Sequence, residues 1–477
     1  MHTMKRFFAT LLVFLMAISM VACGDKPATT PSTTPSTTPD ADSYHAKYGL
    51  PDVDFSGKTL EIIDGTGWAS KASLEGDHNQ IARFEMFQQF EEETGATIVA
   101  SESSYTTLIT EAQSYTMSGD KYGDIWLDMG WTLGQFYTSD LLKPMNDLKY
   151  LDTTKDYWHP SILETFTING NLYGVSGDIA PIDNLSFMLF YNKSVAEELQ
   201  LPDLYQLVRD GDWTFDKFIE YCEKAMKDNG DNVWTAEDRY GLGGPPSTIE
   251  QELFYSMGGY FYNIDENGKY YCATIDAHNT KIIDLITANV RDNHLSYDLS
   301  GGETWEVNTK EMFPTDRLLF CCYAASGLEL WKEMTSDFGL LPMPKLNKEQ
   351  KEYRNGGTQA VFTFFIGKNA DQLDLTGYFL EFCGAYADDV LQTVSDTHYE
   401  TLFRDEDSLE MLHLAFGNPY FERVTVMLAN TAEYSVLFNT AQAAFNYTMA
   451  TPGASITSLY EASIEAVNLK LAELFGY

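Results

Sequence analysis

Apolar positions along this chain switch between a period of two and a period near 3.6, and the switches mark its elements. Lys58 to Asp64 (KTLEIID) predicts a strand; Ile81 to Thr94 (IARFEMFQQFEEET) has helical spacing and stops at Gly95; Ala96 to Ala100 is extended again. A helix follows over Tyr105 to Met117, a strand over Asp124 to Asp128, a hairpin over Asn169 to Val175 (NGNLYGV) and a long apolar strand over Leu185 to Asn192 (LSFMLFYN). Helices are expected at Ser194 to Leu199, Thr214 to Asn229, Thr248 to Met257 and Ile282 to His294, with a second hairpin at Asp265 to Gly268. Leu318 to Ala324 reads as a buried strand with a helix from Ser326 to Met334, and Ala360 to Ile366 (AVFTFFI) is extended. Helices over Leu375 to Tyr386, Ala387 to Val394, Arg423 to Asn430 and Ile456 to Leu474 complete an alternating α/β pattern.

The first 22 residues depart from this pattern. Lys5 and Arg6 precede an unbroken apolar run from Phe7 to Met16 and a segment of mostly small residues, Ala17 to Ala22, which is the layout of a secretory signal peptide. The apolar run is too short to remain as a bilayer-spanning helix. Met20-Val21-Ala22-Cys23-Gly24 resembles the lipobox of bacterial lipoproteins, with Met20 where leucine is usual. That resemblance implies a diacylated Cys23 as the first mature residue, and two acyl chains anchor stably where one does not. Residues 26 to 42 (KPATTPSTTPSTTPDAD) have no large apolar side chain to bury, so residues 23–50 read as a tether with a reach on the order of 80 Å.

The remaining body, from about Pro51 to Tyr477, exceeds what one hydrophobic core organises, and two domains are expected. The chain carries 70 acidic against 31 basic residues, which disfavours nucleic acid and anionic lipid as partners. Cys222, Cys272, Cys321, Cys322 and Cys383 all sit in apolar surroundings and read as buried free thiols.

The order of FQQFEEETGATI, GDIW, LLKPMNDL, NGNLYGV, FMLFYNKSVAEELQL, WTFDKFIEYCEKA, DRYGLGG, FGLLPMPK and YFLEFCGA, from Phe84 to about Phe382, resembles the extracellular solute-binding proteins that include the maltodextrin-binding proteins. The resemblance implies a type II periplasmic-binding-protein-like fold, two α/β lobes joined by a hinge with a ligand cleft between them. Lobe 1 is expected to hold residues 51–180 and 357–415, and lobe 2 residues 181–356 and 416–477. It further implies a monomer that captures a carbohydrate, an oligosaccharide first of all, and hands it to the permease subunits of an ABC importer. No cofactor is implied. Some members carry a calcium loop; here Asn229, Asp231 and Asp238 fall at positions 3, 5 and 12 of such a loop, but Lys227 stands at position 1 and Asn232 at position 6, which argues against metal.

In open α/β sheets ligands lie beyond the carboxyl ends of the strands. A sugar offers one face of C–H bonds and a rim of hydroxyls, which suits aromatic plates flanked by carboxylates and amides. Trp68 follows the first strand, and Asp128 and Trp131 end the third; each tryptophan is a platform or packs beneath a loop. Asp183 and Asn184 fall at the first crossing between lobes, as ligand contacts or as turn residues after Pro181. In the second lobe Ser247 and Glu252 open a helix, where Ser247 and Thr248 serve as ligand contacts or as caps. Trp305, between Glu303 and Glu306, and Ser326, after the strand Leu318 to Ala324, complete the candidates.

The rival classes are a solute-binding protein for peptides, a surface glycan-binding protein and a glycoside hydrolase. The last needs a defined carboxylate pair, which 70 acidic residues supply everywhere by chance. The chain lacks G-x-S-x-G, H-E-x-x-H, a phosphate loop and a dinucleotide fingerprint, and its eight histidines are scattered.

Overall fold

Two sheets organise the computed structural model, which describes residues 49–76, 78–180, 187–272, 276–291, 293–297, 304–325, 327–356, 361–387, 402–416, 420, 464–469, 471–472 and 475–477. The leader, Cys23 and most of the tether lie outside the described residues, as do Asp183, Asn184, Ser326 and the helix expected over Arg423 to Asn430. Nearly all of that expected over Ala387 to Val394 does too. No described helix is long and apolar enough to cross a membrane.

The first sheet is ordered β2 (Thr97–Glu102), β1 (Thr59–Asp64), β3 (Ile125–Met129), β13 (Phe362–Ile366), β6 (Gly174–Val175). β1 runs parallel to β2 and β3, whereas β13 runs antiparallel to both β3 and β6. Helices His78–Thr94, Tyr105–Ser118 and Leu373–Tyr386 match their expected positions within a few residues. Ser104 caps the second of them through Thr107 N–H at 3.2 Å, and Gly119 ends it in the left-handed region at φ 81°. The Phe90 ring meets Phe379 and Phe382, both at 5.2 Å between centroids, which packs the first helix against the last. β4 (Thr167–Ile168) and β5 (Asn171–Leu172) form the expected hairpin, with Asn169 and Gly170 both at positive φ in its turn. Short helices Leu133–Thr138 and Pro160–Thr165 complete this part.

The second sheet is ordered β12 (Phe338–Leu341), β7 (Phe187–Asn192), β11 (Leu318–Ala324), β8 (Tyr240–Gly243). β11 is buried along nearly its whole length, as a strand covered on both faces must be. Helix Phe215–Ala225 buries Phe215, Phe218 and Cys222 as expected, but the hydroxyl of Thr214 makes no capping bond; Thr214 instead forms a backbone bridge with Lys345. Helix Pro246–Ser256 starts earlier than expected, so Ser247 and Thr248 lie in its first turn and Pro245 holds the cap position. Helices Lys193–Glu198, Leu204–Arg209, Ala277–Ile286, Thr304–Val307 and Gly327–Trp331 surround the sheet, and β9 (Tyr262–Ile264) pairs with β10 (Tyr270–Cys272) around the expected Asp265 to Gly268 turn. Trp305 therefore stands in a short helix, where a loop was expected.

Helix Glu406–Phe416 was expected with the first lobe, yet it packs on the second sheet. Ser408 Oγ lies 2.9 Å from Tyr205 Oη and accepts from Leu340 N–H at 3.2 Å, while Arg209 pairs with Asp407 and Glu410. All five described cysteines are free and buried.

Candidate functional site

β1, β3 and β6 share one direction, so the segments after Asp64, Met129 and Val175 emerge along one edge of the first sheet, beside the start of β13. Asp64 builds that edge. Its carboxylate, fully buried, accepts from Thr66 N–H (2.9 Å), Thr66 Oγ (2.8 Å), Gly67 N–H (2.9 Å), Ala69 N–H (2.8 Å), Ser70 N–H (2.7 Å) and Ser70 Oγ (2.9 Å). Six donors satisfy the charge and wrap residues 64–70 around it. Trp68 is thereby turned inward: it is 3 % exposed, with Phe364 edge-on at 5.2 Å, Phe87 at 5.7 Å and the Arg83 guanidinium at 5.7 Å. Its ring packs beneath the loop. Trp131 is only half-buried, on the 3₁₀ turn Gly130–Thr132, which is held by a 2.7 Å bond from Gly130 N–H to the carbonyl of Val361, the residue before β13.

Asp128 is the contrast to Asp64. It is fully buried, Oδ1 accepts from Met129 N–H at 2.7 Å, and Oδ2 has no partner among the described residues. Its carboxyl group fits because Gly65 stands opposite, where a Cβ would come within 3.3 Å of it. Burial, with a smaller push from Asp64, raises this carboxyl to about 7. Thr363 pairs with Asp128 across β13 and β3 and is equally buried. Ser176, just past β6, is buried with its hydroxyl unpartnered among the described residues. Nearby, His159 Nε2 lies 3.4 Å from Asp178 Oδ1, two residues before the chain leaves this edge.

The second sheet presents a matching edge. β8, β11 and β12 run in one direction and end at Gly243, Ala324 and Leu341; β7, antiparallel to β11 and β12, begins there at Phe187. Glu252 stands on helix Pro246–Ser256 and is almost fully buried, with Oε2 accepting from Gly356 N–H at 2.8 Å. Burial drives its carboxyl well above the carboxylate range, opposed by that one hydrogen bond. Ser176, Asp178 and Asn355 carried no readable signal in the sequence, because strand register and distant partners bring them to these edges. The loop from Asp228 to Asp238 closes on its own amides: Asp238 accepts from Asn229 N–H at 2.8 Å and Thr235 N–H at 2.6 Å, and Asp231 from Val233 N–H at 2.8 Å.

Residues 85–401 match the family described as bacterial extracellular solute-binding protein. The chain belongs to that family. No curated protein sequence matches it. Among solved structures, this solute-binding protein is similar to the sugar-binding protein MalE of Xanthomonas citri, at 14% identity and TM-score 0.59 over 88% of this chain and 98% of that one. It is also similar to the galacto-N-biose-/lacto-N-biose I-binding protein of Bifidobacterium longum, solved with lacto-N-biose, at 14% identity and TM-score 0.60 over 89% and 98%. A third is the MalE domain of Bdellovibrio bacteriovorus bound to maltotriose, at 13% identity and TM-score 0.52 over 87% of this chain and 100% of that one. These matches show the two-lobe fold of solute-binding proteins.

The raised Asp128 carboxyl makes this solute-binding protein pH-sensitive in a defined direction. Between the unfolded value near 4 and about 7, the folded chain keeps a proton that the unfolded chain releases. Stability therefore falls as pH rises through that window, by up to about 1.4 kcal/mol per unit, and this contribution levels off above it. Urea unfolding at a series of pH values should show a shallower fall for Asp128→Asn than for the wild type; equal slopes would contradict the assignment.

Proposed function

We propose that this chain is the surface-anchored capture subunit of an ABC importer and that its solute is a carbohydrate, an oligosaccharide above all. The observation that carries the reading is the first-sheet edge of a solute-binding fold, where half-buried Trp131 follows the buried Asp128 at the end of β3 and buried Ser176 follows β6. An aromatic face with acid and hydroxyl groups around it complements the C–H face and hydroxyl rim of a sugar. Of the similar structures, one is a sugar-binding protein, one was solved with lacto-N-biose and one with maltotriose, which favours the same class.

Capture in this reading is non-covalent: the lobes, 51–180 with the return segment from 357 and 181–356 with the C-terminal residues, close on the solute and reopen at the permease. The sugar leaves chemically unchanged, which separates this role from glycoside hydrolysis. Asp183, Asn184, Ser247, Trp305 and Ser326 remain candidates for solute contact on the second lobe and the crossing. Diacylated Cys23 and the tether hold the monomeric body outside the cell membrane.

Thermal unfolding of the full chain against maltotriose, lacto-N-biose, other mono- and oligosaccharides and control peptides tests the solute class. A sugar at 100 times its dissociation constant adds about 2.7 kcal/mol, which lifts the midpoint by roughly a few degrees. A response to peptides alone would overturn the carbohydrate reading. For the anchor, Cys23→Ala expressed in a bacterial host should release the chain from the membrane fraction; continued membrane association of this variant would contradict lipidation at Cys23.

A further inference from the structure

Among the described residues the chain ends at one sheet and resumes at the other three times: between Ala180 and Phe187, between Gly356 and Val361, and between Ala387 and Leu402. On the second-sheet side, two of these ends meet at one side chain. Asn355 is fully buried; its Nδ2 donates to the Phe187 carbonyl at 3.0 Å and its Oδ1 accepts from Met343 N–H at 3.1 Å. Its own carbonyl accepts from Tyr420 N–H at 2.9 Å. Phe187 is the first described residue after one crossing, and Gly356 the last before the next.

Gly356 is fixed as firmly. It pairs with Tyr420 in a parallel bridge and donates its N–H to Glu252 Oε2; a Cβ at this position would lie 2.6 Å from that oxygen. Tyr420 is held in turn by the Arg354 guanidinium, 4.6 Å from its ring, and by the Tyr255 ring at 5.3 Å. The amide of Asn355 serves a carbonyl on one side and an N–H on the other, so only one orientation satisfies both. Rotation would strand the Phe187 carbonyl and the buried Met343 N–H.

We propose that Asn355, Gly356 and Glu252 form the second-lobe pivot of the protein, tying the ends of two crossings, Phe187 and Gly356, firmly to that lobe. They are positioning residues: they set the angle between lobes and how narrowly it is held, without touching solute. The raised Glu252 carboxyl gives this a chemical signature, because a neutral amide reproduces its acceptor oxygen and a methyl group does not. The proposal rests on the two-lobe fold and not on the identity of the solute.

The test is the inter-lobe distance distribution of the solute-free full chain by double electron–electron resonance. Spin labels go on Met117→Cys and Val233→Cys, both well exposed, with Cys23→Ser, since the five described thiols are buried. Asn355→Ala and Glu252→Ala should widen the distribution and shift its mean, while Glu252→Gln keeps the parent distribution. Ile282→Ala, a buried site in the second lobe outside the clamp, sets the baseline for a general loss of packing. If Asn355→Ala does not fold, the Glu252 pair carries the comparison. The parent distribution in Glu252→Ala, or widening matched by Glu252→Gln or by Ile282→Ala, would overturn the pivot.

Discussion

The first sheet of this protein cannot be finished until the chain has left it, built the second sheet and come back, and the rest of the architecture follows from that constraint. β13 arrives after the whole second sheet has been laid down and inserts between β3 and β6, pairing Phe364 with both Leu127 and Val175. Helix Glu406–Phe416 then returns to cover the second sheet through Ser408, Asp407 and Glu410. The interlacing places Phe187 and Val361, at the ends of two crossings, beside the ends of β11 and β3. It also makes long-range pairing obligatory, a topology that folds more slowly than local helix packing.

At the first-sheet edge, two aspartates on the neighbouring strands β1 and β3 are treated in opposite ways by their surroundings. Asp64 collects six donors and organises a loop, which turns Trp68 into the core. Among the described residues Asp128 has one donor and a buried, unpartnered oxygen, so desolvation dominates and favours the neutral acid. The difference lies in the loops: residues 64–70 curl back to present amides, whereas Gly130–Thr132 turns away into a 3₁₀ turn held by Val361.

Elements with strong local periodicity were legible in the sequence, among them β1, helix His78–Thr94, the Asn169-Gly170 hairpin and buried β11. β8 and β12 were not, because each is four residues long and contains glycine. The side of the fold to which Glu406–Phe416 belongs was equally hidden, since its partners Tyr205, Arg209 and Leu340 lie far back in the chain. The candidate site was legible as a set of strand ends but not in its orientations. Trp68 and Trp131 look alike in sequence, each beside glycine and near aspartate; the Asp64 bonds bury one, and a 3₁₀ turn leaves the other half-exposed. Glu252 was read as a ligand contact, and the structure shows its carboxyl bonded to Gly356, a partner that only the folded chain brings near.

Small-angle X-ray scattering of the full chain tests most directly the claim that two interlaced lobes close on a sugar. Curves would be recorded alone and with whichever saccharide raises the melting midpoint. A smaller radius of gyration at saturation, titrating with the same affinity as the thermal shift, is the expected result. Saturable binding with an unchanged scattering curve would contradict closure as the means of capture.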